Sequence, residues 1–210
     1  NNHILEKIEA ENEDGYVATL AELSAKGMSN PELRRTELMT RIGGFESIAR
    51  SMGYAGVFYT LTAPGKYHAV DFNSGKLNPK YNGYSPRAVN AYLHEVWQLI
   101  RSKWHRRGIR SFGFRFAEPH HDGTPHWHML LFFPVDAVDT ANEIFRQYAF
   151  LEDGDEPGAE KYRYKAVPID WSRGSAAGYV AKYVSKNIDG FKVGDDHEAM
   201  DSKKNASEYA

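Results

Sequence analysis

Residues Glu118-Pro119-His120-His121-Asp122-Gly123-Thr124-Pro125-His126-Trp127-His128 concentrate imidazole and carboxylate groups in one short stretch. In a β-strand successive side chains alternate, so His126 and His128 share a face with Trp127 on the other. Asp122-Gly123 is a hairpin signal that brings a second strand alongside. With a three-residue loop, Asp122 to Thr124, Glu118 is expected opposite His128 and His120 opposite His126, all on one face. Two imidazole nitrogens and one carboxylate oxygen, with positions left for water and substrate, suit Mn, Zn, Co or Mg. His120 is the rival third ligand; Glu118 is preferred because a hard carboxylate helps offset the charge of a hard cation. A lone His-x-His is commonly no metal site. The pair also occurs in cupin-type barrels, and two histidines with a carboxylate can hold oxygenase iron. Cupins place a glutamate soon after the pair, whereas Met129 to Phe133 is wholly apolar.

A second segment is Gly178-Tyr179-Val180-Ala181-Lys182-Tyr183-Val184-Ser185-Lys186-Asn187. On a helix Tyr179 and Tyr183 lie one turn apart on the same face, with Lys186 close to it. A buried aromatic pair has the same spacing, but Lys182 and Lys186 better suit a surface that meets phosphate. A free phenol ionises near ~10, so a nucleophilic tyrosine needs help at neutral pH. A cation at a phosphate and a nearby lysine would supply it, and the two segments then complement each other as Lewis acid and nucleophile.

The elements that must position these residues read as interleaved strands and helices. Asn30 caps a helix opened by Pro31 and running to Ala49, with Gly43 and Gly44 weakening its middle and Gly53 stopping it. The first 53 residues as a whole read as a helical extension. Ala55 to Leu61 reads as a strand; Ser85 and Pro86 open a helix with apolar Val89, Leu93, Val96, Trp97 and Ile100 at helical spacing. Strands at Ser111–His120 and His126–Phe133, a helix at Val135–Phe150, a strand at Tyr162–Ile169 and a helix at Ala176–Asn187 follow. The hairpin makes the sheet mainly antiparallel and the class α+β. The expected organisation is a helical extension (1–53), a catalytic domain (54–190) and a polar tail (191–210).

Composition bounds the rest. The 210 residues, 41% hydrophobic, include no cysteine, so disulfides and thiolate metal sites are excluded. No apolar run is long enough to cross a bilayer and no leader opens the sequence, so a soluble, intracellular (cytoplasmic) protein without membrane contact is expected. The opening at Asn1 and the featureless polar end read as a domain of a longer protein. Net charge is only -2, yet Arg101, Lys103, Arg106, Arg107, Arg110 and Arg115 follow one another with no acid between them. Arg106, Arg107, Arg110 and Arg115, with Lys182 and Lys186, are the candidate nucleic-acid contacts, although a solvated helix face has the same look.

The two chemical segments together resemble the HUH endonuclease superfamily, named for two histidines around a hydrophobic residue, here His126-Trp127-His128. More narrowly, Glu118 to His128 with Gly178-Tyr179-Val180-Ala181-Lys182-Tyr183 and Lys186-Asn187-Ile188-Asp189-Gly190 is similar to the phage replication gene A protein family. The likeness runs from about Gly56 to Gly190. It implies a ferredoxin-like, RRM-like core with a central antiparallel sheet flanked by helices, and Val57 to Thr62 as the family's first motif. It implies Glu118, His126 and His128 as ligands of a divalent ion, Mg or Mn, with Zn, Co or Ni able to substitute. It also implies Tyr179 and Tyr183 as nucleophiles that nick single-stranded origin DNA, leaving a 5′-phosphotyrosine and a 3′-hydroxyl that primes rolling-circle synthesis, then rejoin it. A tyrosine after the histidines is the order of replication initiators rather than conjugative relaxases. With no phosphate-gripping ATPase motif in the chain, the expected partners are origin DNA, a host helicase and the replication machinery. A non-catalytic single-strand-binding module, stacking bases on Tyr59, Phe114 and Phe116, is the alternative. A small-molecule metalloenzyme would leave the tyrosine spacing unused.

Overall fold

A computed structural model describes residues 2–27, 30–71 and 74–180. Among these the chain forms two compact units, one within residues 2–41 and one within residues 42–180.

The first unit is not wholly helical as the sequence reading expected. After helix α1 (Asn2–Leu5), strands β1 (Glu9–Glu11) and β2 (Val17–Thr19) pair antiparallel. Turn chemistry decides this: the Asn12 side-chain oxygen accepts from the backbone N–H groups of Asp14 and Tyr16, and Gly15 takes a left-handed φ of 77°. Helix α2 (Leu20–Lys26) starts with a reciprocal cap between Thr19 and Glu22. Helix α3 (Pro31–Ser51) begins where expected, with the Asn30 side chain accepting from Glu32 N. It runs unbroken through Gly43 and Gly44.

The second unit is built on β3 (Tyr54–Leu61), β4 (Phe112–Pro119), β5 (Pro125–Pro134) and β6 (Tyr164–Pro168), joined in the order β4-β5-β3-β6 with every pair antiparallel. Helix α4 (Pro86–Arg106) lies between β3 and β4 in the chain, α5 (Val138–Ala149) follows β5, and the short α6 (Ala159–Tyr162) precedes β6. This is the expected α+β class, a four-stranded antiparallel sheet flanked by helices.

One sheet face buries Val57, Tyr59, Leu61, Trp127, Met129, Leu131 and Phe133 against Val89, Leu93, Val96 and Ile100 of α4 and Ile144 and Phe145 of α5. Each buried aliphatic or aromatic side chain there contributes about 1.5–3 kcal/mol. The α4 positions are those the helical spacing predicts, and Ser85 Oγ accepts from Ala88 N at the start. The opposite face carries Phe112, Phe114, Phe116 and Glu118 of β4, His126 and His128 of β5, and Phe58 and Thr60 of β3. Toward the β4 edge Phe45 of α3 covers Phe112 and Phe114, with ring centroids 5.7 and 4.6 Å away. Among the described residues no helix is long and apolar enough to cross a membrane.

Candidate metal centre and tyrosine site

The β4–β5 hairpin sets the site. Its loop has three residues, as expected, but they are His121, Asp122 and Gly123. His120 N donates to Thr124 O at 2.8 Å and Gly123 N to His120 O at 2.9 Å. Gly123 takes the left-handed φ of 81° that closes such a loop, and Asp122 Oδ1 accepts from Thr124 N. The loop expected from Asp122 to Thr124 would give that left-handed position to β-branched Thr124, which is sterically costly. The register therefore differs from the expected one: Glu118 pairs with His126, and His128 pairs with Phe116. The alternation is unchanged by this shift, so the three side chains still share a face.

Glu118, His126 and His128 present ligand atoms that all lie within 4.8 Å of one another. The two Nε2 atoms of His126 and His128 are 2.8 Å apart, and Glu118 Oε2 lies 3.2 Å from that of His128 and 3.7 Å from that of His126. Ligands bound at about 2.0–2.2 Å in tetrahedral or octahedral geometry stand roughly 3–3.5 Å apart, so the donor set fits a divalent cation. Thr60 Oγ1 is 3.0 Å from His128 Nδ1, a contact that orients the ring with Nε2 toward Glu118. Burial, and then the adjacent His120 and His128 rings, pushes His126 down to about 2, which keeps the imidazole in its neutral, ligating form.

His120 does not join this group. It stands opposite Thr124 rather than His126, its ring centroid 4.0 Å from that of His126 and its buried Nε2 without a hydrogen bond. Burial pushes it down to about 4, and the neighbouring His68 adds to this. His68 Nδ1 in turn lies 3.2 Å from Asp122 Oδ2.

Tyr179 lies on a helical stretch, residues 176–180, anchored by fully buried Ala176 and Val180. The phenol ring is half-buried, not sealed in the core. Its centroid is 6.5 Å from that of Phe58, and Phe58 stacks on His128 at 5.6 Å and 9°. A single aromatic ring thus bridges the tyrosine to the histidine pair. Tyr183, Lys182 and Lys186 lie outside the described residues.

The family described as Bacteriophage replication gene A protein (GPA) matches residues 1–191. The chain belongs to this family. It is 51% identical over 192 residues to the Replication gene A protein of Escherichia phage 186, covering 90% of this chain and 28% of that protein. The Replication gene A protein of Escherichia phage P2 is 42% identical over 202 residues, covering 92% of this chain and 26% of that protein. A protein of Salmonella paratyphi A named "Probable replication endonuclease from prophage-like region" is 40% identical over 180 residues, covering 85% and 22%. The chain thus spans about a quarter of the length of these relatives. No solved structure matches it.

The replication gene A match begins at residue 1, so the amino-terminal stretch belongs to the family's pattern, which extends ahead of the expected start at Gly56. The candidate arginines do not gather at the histidines. Arg106 at the end of α4 and Arg107 and Arg110 in the connection to β4 are exposed, and the length of β4, roughly 20 Å from Phe112 to Glu118, separates that end from the histidines. Arg115 is on the other sheet face, its guanidinium 3.9 Å from the Trp127 ring centroid; burial, and then Arg101, lowers its pKa. The open stacking platform of the alternative reading is also absent at its named residues. Tyr59 is 0% exposed on the opposite face, stacked on Phe145 and bonded to Asn142, while Phe116 is buried and Phe114 lies under Phe45. Sequence reasoning missed Thr60 and Phe58 as partners of His128. Strand β3 was legible, but the strand it would pair with was not.

Proposed function

We propose that this chain is the DNA-nicking and rejoining domain of a rolling-circle replication initiator of the HUH type, with Tyr179 and Tyr183 as nucleophiles and Glu118, His126 and His128 as metal ligands. The observation that carries the reading is the convergence of those three ligand atoms within 4.8 Å, on the sheet face where Phe58 links His128 to Tyr179. A divalent ion bound there, Mg or Mn with Zn, Co or Ni able to substitute, supplies positive charge against the oxygens of the scissile phosphate.

The chain's own residues do the rest. Glu118 and the two neutral imidazoles hold the cation, and Thr60 fixes the His128 ring. The phenol oxygen of a tyrosine forms a bond to phosphorus as the bond from phosphorus to the 3′ oxygen breaks. The phenol loses its proton and the 3′ oxygen ends as a hydroxyl, so one phosphodiester is exchanged for a 5′-phosphotyrosine and no nucleotide is consumed. A second tyrosine repeats the exchange on regenerated origin, and the freed hydroxyl rejoins the strand. Lys182, Lys186 and the exposed arginines serve as phosphate contacts, with Arg106, Arg107 and Arg110 meeting DNA remote from the cut. The substrate is single-stranded origin DNA, and a host helicase in the bacterial cytoplasm opens the duplex.

The decisive experiment is incubation with origin-containing single-stranded DNA and Mn or Mg, followed by a denaturing gel and mass-spectrometric mapping of the nucleotide-modified peptide. A covalent adduct on Tyr179 or Tyr183 is the expected result. Equal adduct from the Tyr179→Phe/Tyr183→Phe double variant refutes the assignment of the nucleophile.

A further inference from the structure

Glu46 is a carboxylate that the nicking chemistry does not call on. It lies 7% exposed on the face of α3 that also buries Ile42 and Ala49. A charge in such a place is costly unless it is both hydrogen-bonded and paired. Both oxygens are engaged. Oε2 accepts the backbone N–H of Ala176 at 2.8 Å. Oε1 accepts Arg50 Nε at 3.0 Å and lies 2.9 Å from Arg50 Nη2. The Arg50 guanidinium also stands 4.4 Å from the ring centroid of Trp171, which itself stacks on Phe132 of β5 at 6.2 Å.

Ala176 is the first helical residue of the stretch that carries Tyr179. The first N–H groups of a helix have no partner within it and bear partial positive charge, so a carboxylate placed there is doubly favourable. A side chain one residue before the helix ordinarily fills this role. Here the acceptor comes from another helix, 130 positions earlier in the chain. Burial of Ala176 and Val180 sets how deeply the stretch packs, but apolar packing has little direction and resists sliding and rotation poorly. A hydrogen bond to the leading N–H removes that freedom.

We propose that Glu46, braced by Arg50, is a positioning residue: it latches the start of the tyrosine helix to α3 and so fixes where Tyr179 stands beside Phe58 and His128. The latch stands on geometry alone; its effect on catalysis rests on the nicking function proposed above.

Two variants of the whole chain test it. Glu46→Ala removes both acceptors, whereas Glu46→Gln keeps one oxygen for Ala176 N. By amide hydrogen exchange, peptides covering 170–180 in Glu46→Ala are expected to exchange at least about ten-fold faster than wild type, while those covering 126–134 stay within about two-fold. Glu46→Gln is expected to restore protection at 170–180 to within about three-fold. Unchanged exchange at 170–180 overturns the latch, and so does an equal rise at 126–134, which would make Glu46 a support of the whole fold. In single-turnover reactions with saturating single-stranded origin DNA and Mn, Glu46→Ala should form adduct about ten-fold more slowly with unaltered DNA and Mn affinities, a loss confined to the reacting step. An unchanged adduct rate overturns the catalytic half of the proposal. If wild-type protein forms no adduct, the nicking function falls, and the exchange measurement still decides the latch.

Discussion

Thr60 Oγ1 lies 3.0 Å from Nδ1 of His128, and the opposite nitrogen of that ring faces Glu118 at 3.2 Å and His126 at 2.8 Å. The two strands are paired at these residues, Thr60 against His128, so the backbone ladder itself delivers the hydroxyl to the ring. With Nε2 directed at a cation, Nδ1 carries the hydrogen and donates a hydrogen bond to Thr60 Oγ1.

Thr60→Val keeps the β-branched shape that suits β3 and removes only the acceptor. It should weaken Mn binding by about ten-fold, the lower end of what loss of such a supporting contact costs. Isothermal titration of the metal alone against the two proteins measures this. Equal affinities would mean that the ladder, not the hydroxyl, sets the ring.

How far the site could be read without coordinates is clearest at these residues. The period of two along a strand survives a register shift of two, so with an odd-length loop Glu118, His126 and His128 share one face although their pairing is shifted. The shift itself turned on whether Gly123 or Thr124 ends the loop, a choice made by backbone sterics and by Asp122 capping Thr124 N. Local patterns also located α4 and the capped start of α3. Long-range partners were not legible. Nothing local says that β3 lies beside β5, so Thr60 and Phe58 have no assigned partner in the sequence, and the base-stacking alternative needs Tyr59 exposed whereas it is buried on the other face. Glu46 with Arg50 four residues on has the look of an ordinary surface ion pair, and only the fold brings Ala176 N to it.

Phe58 both fills the sheet face and spaces Tyr179 from His128. Phe58→Ala should cost about 3–5 kcal/mol, as removal of a fully buried aromatic does, and so confounds folding with function. Phe58→Leu should cost about 1.5 kcal/mol or less while removing the flat spacer. Its urea midpoint should therefore fall slightly, and its adduct rate should fall about ten-fold because a small misplacement of the nucleophile is expensive. A wild-type rate in Phe58→Leu would show that the ring only fills space.

Gly113 holds β4 against β5 in a conformation other residues avoid, with φ 152°, and a Cβ built there would come within 2.0 Å of Leu130 O. That oxygen is backbone and cannot swing aside. Gly113→Ala should therefore lower stability by about 3 kcal/mol or more, combining strain with a disturbed ladder. Because β4 also carries Glu118, Mn affinity should fall along with the thermal midpoint. A variant as stable as wild type by calorimetry would refute the close approach.

Acid sensitivity follows from the histidines. Burial is the leading cause that pushes His120 down to about 4 and His126 to about 2, from an ordinary value of 6.5. In the metal-free protein the unfolded chain takes a proton on each ring as pH falls through 6.5, and the native chain takes neither until far lower. Folded pKa values below the unfolded ones on a basic group mean that stability is full above 6.5 and is lost as pH falls. With both rings contributing, the slope between pH 6 and pH 5 should approach about 2.7 kcal/mol per pH unit, one proton's worth for each. Urea midpoints measured at pH 7, 6 and 5 check this, a range that stays above ordinary carboxylate titration. His126→Gln should remove about half of the slope. Midpoints independent of pH across that range would show that both imidazoles accept protons in the folded protein, and the account of His126 as a neutral ring ready to ligate a cation would fail with them.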